Sequence, residues 1–149
     1  MFLPHSSTNT FLFLPVAFSV AFAGTDRSLN IGENAAIRFN VIVTNIGDGY
    51  NSLDGHFTAP LAGVYAFYFS MRTLNDHSWI LVAIYKGNRQ LAYATAEGQA
   101  DTWDRGSIFV TTHVDKGDVV YARRTSGGGS TYLEGGMFTT FSGVLISPD

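Results

Sequence analysis

Apolar side chains recur at every second position over most of the chain, which is the pattern of half-buried β-strands. The clearest segments are Val64–Met71 (VYAFYFSM) and Trp79–Tyr85 (WILVAIY), and Gly, Asn, Asp and Pro interrupt the pattern at short intervals. Asp115–Asp118 (DKGD) is typical of a hairpin turn. The pattern predicts about eight to ten short strands and no long helix, as in a sandwich or jelly roll. The other predicted strands are Val16–Ala23, Ile37–Ile46, Tyr50–Phe57, Leu91–Thr95, Ile108–Val114, Val119–Arg124 and Phe138–Ile146.

Both sides of the two strongest strands are apolar. In Val64–Met71, one side carries Tyr65, Phe67 and Phe69, and the other side carries Ala66 and Tyr68. The next strand shows the same pattern, with Ile80, Val82 and Ile84 opposite Leu81, Ala83 and Tyr85. A side that faced solvent would carry polar residues. One side of each strand is therefore expected to fill a core and the other to meet a second copy of the chain, unless a loop or the N-terminal arm covers it.

The segment Phe11–Ala23 (FLFLPVAFSVAFA) is open to two interpretations. It resembles the apolar stretch of a signal peptide, but Pro15 interrupts it and no Lys or Arg precedes it. The alternative, which we prefer, is a first strand at Val16–Ala23. Residues 1–15 are then an N-terminal arm, a remnant of processing or added sequence, and residues 16–149 form one domain.

Composition narrows the function classes. The 149 residues are 46% hydrophobic and only 14% charged, against about 25% charged in a typical domain, which excludes a disordered chain and favours an oligomer. The net charge of −3, without a block of Lys or Arg, speaks against a nucleic-acid partner. No apolar run reaches the roughly 18 residues of a membrane span. The absence of cysteine excludes disulfides, thiolate catalysis and cysteine-ligated zinc.

From Phe39 the chain reads FNVIVTNIGDGYNSLDGHFTAPLAGVYAFYF, which resembles the signature of the complement C1q globular-head family. All eight anchor positions and the spacings between them agree with that signature. Val16–Val20 resembles the first strand of the family and Thr140–Leu145 its closing strand, so the resemblance covers residues 16–147. The matching positions are Phe39, Asn45, Tyr50, Phe57, Gly63, Tyr65, Phe67 and Phe69, with Phe141 and Gly143 in the closing strand.

This resemblance implies an all-β, ten-stranded jelly-roll β-sandwich of the C1q and tumour necrosis factor type, packed as a homotrimer. The anchors are then expected to pack in the core and to determine the fold, with no chemical role. The chain shows no collagen-like Gly-X-Y repeat, so it resembles the head-only, secreted, extracellular members. Those members often bind carbohydrate or microbial surface patterns in invertebrate innate immunity, and others are protein ligands.

An enzyme is not expected. The four histidines form no close metal-binding pair in the sequence, and neither HExxH nor GxSxG occurs. Without cysteine the nucleophile would be Ser or Thr, and no spacing distinguishes one. The sequence therefore predicts no catalytic residues.

Calcium is the one cofactor that the resemblance suggests, and none is required. The segment Ala96–Gly106 (AEGQADTWDRG) carries Glu97, Asp101 and Asp104, whose hard oxygen atoms suit calcium. In several family members acidic residues of this region bind calcium near the apex of the trimer. The alternative is a solvated acidic loop.

Candidate ligand-binding residues lie in two polar segments. Trp103 offers an aromatic platform for a sugar, with Arg105 beside it, although partial burial against the sheet is the alternative. Arginine can hold a carboxylate through two parallel hydrogen bonds, which suits sialic acid or another acidic ligand. The alternative for these arginines is contact with solvent or ion pairs between subunits. The candidates around the Gly127–Gly129 loop are Arg123, Arg124, Ser130, Tyr132 and Glu134.

Two functions stay open on this basis. The first is a secreted trimeric, lectin-like protein that binds carbohydrate or microbial surface ligands through apical loops. The second is a trimeric protein ligand, or a structural or adhesion module, that recognises a protein receptor. The sequence does not name the ligand, because loops carry the specificity of such domains.

Overall fold

The computed structural model describes residues 14–23, 29–30, 32, 34–73, 79–125 and 132–149, and every strand pairing in these ranges is antiparallel. Within them, no helix is long and apolar enough to cross a bilayer. The strands, in chain order, are β1 (Ala17–Ala21), β2 (Leu29–Asn30), β3 (Val41–Ile46), β4 (Tyr50–Asn51), β5 (His56–Thr58), β6 (Gly63–Arg72), β7 (Trp79–Lys86), β8 (Arg89–Glu97), β9 (Arg105–Val114), β10 (Val119–Arg124), β11 (Tyr132–Leu133) and β12 (Thr140–Pro148).

Ten of these strands form two five-stranded sheets that face each other. The first sheet has the order β3-β1-β12-β6-β9 and the second has the order β4-β5-β10-β7-β8. The short strands β2 and β11 pair separately. The predicted ten-stranded jelly-roll sandwich is confirmed, and the segment at 16–23 contains a strand, β1, that lies between β3 and β12.

Aromatic rings fill the space between the sheets. Phe18 on β1 stacks on Phe57 of β5 with 4.7 Å between ring centroids, and it meets Phe141 edge to face at 5.0 Å. Phe22 stacks on Phe39 at 4.7 Å. Such contacts add about 0.5–1.5 kcal/mol per pair beyond the burial of area. The core is therefore a continuous aromatic cluster that joins both sheets.

The signature anchors Asn45 and Tyr50 hold the turn between β3 and β4. The Asn45 side-chain amide donates to the Tyr50 carbonyl at 2.9 Å, and the Tyr50 N–H donates to Asn45 Oδ1 at 3.0 Å. The Tyr50 hydroxyl accepts from the Phe39 N–H at 3.1 Å. Burial raises the pKa of Tyr50 from 10.0 to about 12. The anchors thus have the structural role that the sequence predicted.

Two anchor glycines allow close approach of neighbouring atoms. A Cβ at Gly63 would lie 2.3 Å from the Ser147 carbonyl oxygen. A Cβ at Gly143 would lie 2.5 Å from Cε1 of Phe18 and 2.7 Å from Cδ1 of Phe67. Gly143 therefore makes room for the aromatic cluster at the centre of the first sheet.

The predicted strand Ile37–Ile46 is wrong in its first four residues. The strand begins at Val41, because the preceding segment crosses between the sheets. The Ile37 N–H donates to the Ala122 carbonyl in the second sheet, whereas Val41 pairs with β1 in the first sheet. The alternation of apolar residues continues through the crossing, since Ile37 and Phe39 are both buried.

Other predicted strands also have different bounds in the structure, most clearly Tyr50–Phe57 and the last strand. The predicted strand Tyr50–Phe57 divides into β4 and β5, because a turn that ends at Gly55, with φ of 78°, separates them. The last strand begins at Thr140 instead of Phe138. Phe138 lies before the strand, where its ring meets an arginine side chain that is described below.

The outer face of the first sheet is apolar and exposed, as predicted. Val64, Tyr68, Phe109 and Val144 alternate with core residues and are 38%, 43%, 69% and 45% exposed, respectively. In the centre of this face lies a groove of about 350 Å³.

The corresponding side of β7 in the second sheet is covered in part by the chain itself. Ala83 and Tyr85 are both buried within the single chain. The Tyr121 ring stacks on Tyr85 at 5.7 Å, and the Arg123 guanidinium lies 4.3 Å from the centroid of the Tyr85 ring. Side chains of the neighbouring strand therefore cover Tyr85 within the chain.

Gly143→Ala is expected to destabilise the protein. The new methyl group would overlap the rings of Phe18 and Phe67, and overpacking of this kind costs about 1–3 kcal/mol. Gly32→Ala is the control, because its Cβ would meet only Ala35 Cβ at 3.6 Å. Denaturant unfolding at one protein concentration measures both variants, and equal stability of the two would contradict the packing described above.

Tyr50 is expected to make the protein sensitive to alkali. Its pKa is about 12 in the folded chain against 10.0 for a free tyrosine, so its stabilising effect is complete below pH 10 and is lost as the pH rises through about 12. Tyr50→Phe should show a shallower fall of the free energy of unfolding across this interval. Tyr93→Phe, at an exposed position, controls for the loss of a hydroxyl, and the same slope in Tyr50→Phe and wild type would refute the assignment.

Candidate ligand-binding site

One end of the sandwich brings together residues from four segments of the chain. At this end β6 finishes at Arg72 and β9 begins at Arg105, and the two arginines are cross-strand partners. Both belong to the set of side chains that alternates with the core residues, so both lie on the outer face of the first sheet. Like charges directly opposite each other in a sheet are destabilising. This pair therefore requires a nearby anion.

Glu134 supplies one negative charge to Arg72. The Arg72 Nε donates to Glu134 Oε2 at 2.6 Å, and only 8% of the Glu134 side chain is exposed. The Glu134 N–H also donates to the Arg72 carbonyl at 2.9 Å, and the Thr139 hydroxyl donates to the Glu134 carbonyl at 2.8 Å. Buried charge-assisted hydrogen bonds of this kind fix geometry. Arg72 is therefore held in one orientation.

Two aromatic rings flank the Arg72 guanidinium. Its Cζ lies 3.5 Å from the centroid of the Phe138 ring and 5.0 Å from that of Trp103. The Arg105 guanidinium lies 5.7 Å from the Phe138 ring. Cation–π contacts are within this range of distances. We call Arg72, Trp103, Arg105, Glu134 and Phe138 the arginine–aromatic cluster.

Backbone and side-chain hydrogen bonds position Trp103. The Thr73 N–H donates to the Asp104 carbonyl at 3.0 Å, and the Asp104 N–H donates to the Thr73 hydroxyl at 3.1 Å. The Asp104 carboxylate accepts from the Glu97 N–H at 2.9 Å. These bonds fix the residue that follows Trp103, and the indole itself is 44% exposed. A platform that is held in place yet open to solvent suits a ligand.

Calcium has no complete set of ligands within one described chain. In the ranges that the structure describes, no three His, Cys, Asp or Glu side chains are grouped to hold a metal ion. Asp104 is the strongest of the three candidates, and one of its carboxylate oxygens already accepts a hydrogen bond from the Glu97 N–H. Glu97, Asp101 and Asp104 therefore do not fit a calcium site by themselves, and calcium stays a prediction.

The other predicted residues lie apart from the cluster or outside the description. Arg123 belongs to β10 in the second sheet. Its guanidinium lies over the Tyr85 ring and donates to Asn34 Oδ1 at 3.2 Å. Arg124 is buried, with 5% of its surface exposed. Ser130 lies outside the described residues, and Tyr132 is described only as part of β11. The structure thus unites Trp103, Arg105 and Glu134, which were predicted from two separate segments.

Arg72 and Phe138 were not among the residues that the sequence predicted for the site. Arg72 follows the predicted strand Val64–Met71 directly, and continued alternation would place it on the outer face with Tyr68. That signal was available, but its importance depends on the pairing of Arg72 with Arg105, which only the register of β6 and β9 reveals.

The comparisons with known proteins agree on the family. The family described as C1q domain matches residues 17–146. The human complement C1q tumor necrosis factor-related protein 3 is 30% identical over 136 residues, which cover 89% of this chain and 53% of that protein. The chain therefore spans about half the length of this curated relative. The C1q domain family is non-enzymatic, in agreement with the prediction of a protein without catalytic residues.

Solved structures share the fold. The globular domain of zebrafish complement 1qA protein matches with a TM-score of 0.71 and 21% identity, over 90% of this chain and 98% of that chain. The Eiger tumour necrosis factor of S. frugiperda matches with a TM-score of 0.73 and 14% identity, over 92% of this chain and 96% of that chain. The strand order, the signature anchors and the family match lead to one conclusion: this chain belongs to the C1q domain family.

Proposed function

We propose that this chain is a secreted, homotrimeric, lectin-like recognition protein that binds carbohydrate or microbial surface ligands in innate immunity. The arginine–aromatic cluster is the proposed binding site. The observation that carries the proposal is the exposed Trp103 indole at one end of the sandwich, 5.0 Å from the guanidinium of Arg72, whose cross-strand partner is Arg105. Ligand sites commonly combine an aromatic surface with a few fixed polar groups.

The charge of the cluster favours an acidic sugar. The Glu134 carboxylate is paired with Arg72. Within the described part of the chain, Arg105 has no carboxylate within ion-pair distance. Arginine binds a carboxylate through two parallel hydrogen bonds, and the ligand would relieve the repulsion between Arg72 and Arg105. N-acetylneuraminic acid, with a carboxylate on a sugar ring, has this chemistry.

Secretion and trimer formation rest on the family and on the apolar face. Proteins of the C1q and tumour necrosis factor type typically assemble as trimers, and the C1q relatives are typically secreted. The exposed Tyr68 and Phe109 on the outer face of the first sheet support assembly, since exposed apolar patches mark interaction sites.

Protein recognition is the second candidate function. Met137 and Phe138 are 48% and 36% exposed beside the cluster, and methionine, aromatic residues and arginine are enriched at protein interfaces. A pull-down from the host's extracellular fluid, with and without N-acetylneuraminic acid as competitor, separates the two functions. A protein partner that the sugar does not displace favours the second function.

Trp103→Ala is expected to weaken sugar binding at least ten-fold, because the variant loses the stacking surface. Trp79→Ala is the matched control: Trp79 is 40% exposed against 44% for Trp103, but it lies on β7 in the second sheet. A glycan array of neutral and acidic sugars, measured with and without calcium, provides the readout. If the wild type binds no sugar on the array, the proposed function is refuted. If binding depends on calcium, the result supports the predicted calcium site.

Arg105→Ala is expected to reduce binding of acidic sugars more than binding of neutral sugars. A hydrogen bond to a charged group contributes about 1.5–3 kcal/mol, which corresponds to a loss of roughly ten-fold or more. Arg89→Ala, an exposed arginine in β8 at the opposite end of the sandwich, is the control. Titration with N-acetylneuraminic acid and with lactose compares the variants, and equal losses for both sugars would argue against a carboxylate contact.

A further inference from the structure

Met137 has a backbone conformation that its residue type disfavours. Its φ is 68°, in the left-handed region, where the Cβ of an L-residue lies too close to the following carbonyl oxygen. In the part of the chain that the structure describes, the other non-glycine residues with positive φ are Asn or Asp, which tolerate this region because their side chains hydrogen-bond locally. They are Asn34, Asp48 and Asp101. Methionine has no such side chain, so the backbone of Met137 is strained and the surrounding contacts hold it.

Met137 lies in a short loop, residues 135–138, whose two ends are anchored in the protein. Glu134 and Thr139 flank the loop and are both buried, and the Thr139 hydroxyl donates to the Glu134 carbonyl at 2.8 Å. Between these anchors, two backbone hydrogen bonds of 3.0 and 3.2 Å hold the loop. Gly136 has a φ of 65°, and glycine accommodates large changes in backbone angles. The loop can therefore change conformation while its ends stay fixed.

The Phe138 ring lies where an anion between the two arginines would lie. Its centroid is 3.5 Å from Arg72 Cζ and 5.7 Å from Arg105 Cζ. The face of an aromatic ring carries partial negative charge and attracts cations. A carboxylate carries a full charge and binds a guanidinium more strongly, through two parallel hydrogen bonds. Within the described residues, Glu134 binds Arg72 at Nε, so the two terminal nitrogens of Arg72 are left for a ligand.

We infer that Phe138 is a lid over the two arginines: its ring moves away when a carboxylate of the ligand binds Arg72 and Arg105 together, and the strain at Met137 favours this opening. The inference rests on the proposed function and adds Arg72 as a second residue that binds the carboxylate. Opening lets Met137 relax to a negative φ, which lowers the free energy of the open loop relative to the closed loop. The affinity then depends on how often the loop is open in the free protein.

Substitutions of Met137 separate the role of its backbone from that of its side chain. Met137→Ala keeps a Cβ and therefore keeps the strain, whereas Met137→Gly removes both. Relief of the strain favours the closed loop by roughly five- to thirty-fold. We therefore expect Met137→Gly to bind free N-acetylneuraminic acid about three-fold or more weakly than Met137→Ala, although it unfolds at a higher temperature. A purely structural role would not combine higher stability with weaker binding.

Asp48→Gly is the control for the introduction of a glycine. Asp48 has a positive φ of 55° in the turn after β3, which is not part of the arginine–aromatic cluster. This variant is expected to bind the sugar as the wild type does. Calorimetric titration measures the affinities, and thermal unfolding measures the stabilities.

Phe138→Ala removes the lid itself. This variant is expected to bind N-acetylneuraminic acid about three-fold or more tightly than the wild type, because the loop no longer competes with the carboxylate. Binding of lactose, which has no carboxylate, should not change. Addition of Met137→Gly to Phe138→Ala should have no further effect on affinity, since the two substitutions act through the same ring.

Amide hydrogen exchange without sugar tests the loop by itself. The Phe138 N–H donates to the Gly135 carbonyl at 3.2 Å, so opening of the loop exposes this N–H to exchange. Its protection factor, which corrects for the intrinsic exchange rate, should be about three-fold or more higher in Met137→Gly than in Met137→Ala.

Three results would overturn the inference. Equal protection and equal affinity of Met137→Gly and Met137→Ala would show that backbone strain does not control the loop. Weaker binding by Phe138→Ala would show that the ring is a contact surface for the sugar and not a lid. An effect of Met137→Gly on affinity that persists without the Phe138 ring would show that the loop acts by another route. If the wild type binds no sugar, the proposed function is refuted, and the exchange measurement still decides whether strain opens the loop.

Discussion

The stacking of Phe18 on Phe57, at 4.7 Å between ring centroids, is the contact on which the rest of the structure depends. Phe18 belongs to the first sheet and Phe57 to the second, so their contact sets how the two sheets face each other. Gly143 makes the contact feasible, because any side chain there would collide with Phe18 and Phe67. Once this core is in place, alternation along each strand decides which residues face outward. Because side chains alternate along β6, the inward position of Phe67 places Arg72 on the outer face.

The outer faces of the two sheets differ in how far other side chains of the same chain cover them. On the second sheet, Tyr121 and Arg123 cover Tyr85 within the same chain. On the first sheet, Tyr68 and Phe109 stay exposed. Burial of apolar surface is the main favourable term in association, so the exposed Tyr68 and Phe109 favour contact with a partner.

Within the arginine–aromatic cluster, rigid supports hold the residues that are offered to a ligand. The buried carboxylate of Glu134 fixes Arg72, and the hydrogen bonds between Thr73 and Asp104 fix the backbone next to Trp103. Binding sites work when such supports hold the contacting groups in place before the ligand arrives. Within the described residues, Arg105 is less restrained than Arg72. For this reason we propose that Arg105 is the residue that binds the ligand's carboxylate.

Sequence alone determined the fold of this protein, because period-two alternation and the spacing of anchors such as Asn45 and Gly63 are local properties of the chain. It also identified Trp103, Arg105 and Glu134 as candidates, since their residue types have suitable chemistry. Only the tertiary structure decided that these three lie together around Arg72. That outcome depends on the register between strands and on packing between residues that are far apart in the sequence. Neither of these produces a local pattern in the sequence. For the same reason the sequence could not distinguish the buried Tyr85 on β7 from the exposed Tyr68 on β6. Both strands are apolar on both sides, and only the neighbouring strands determine which of these residues is covered.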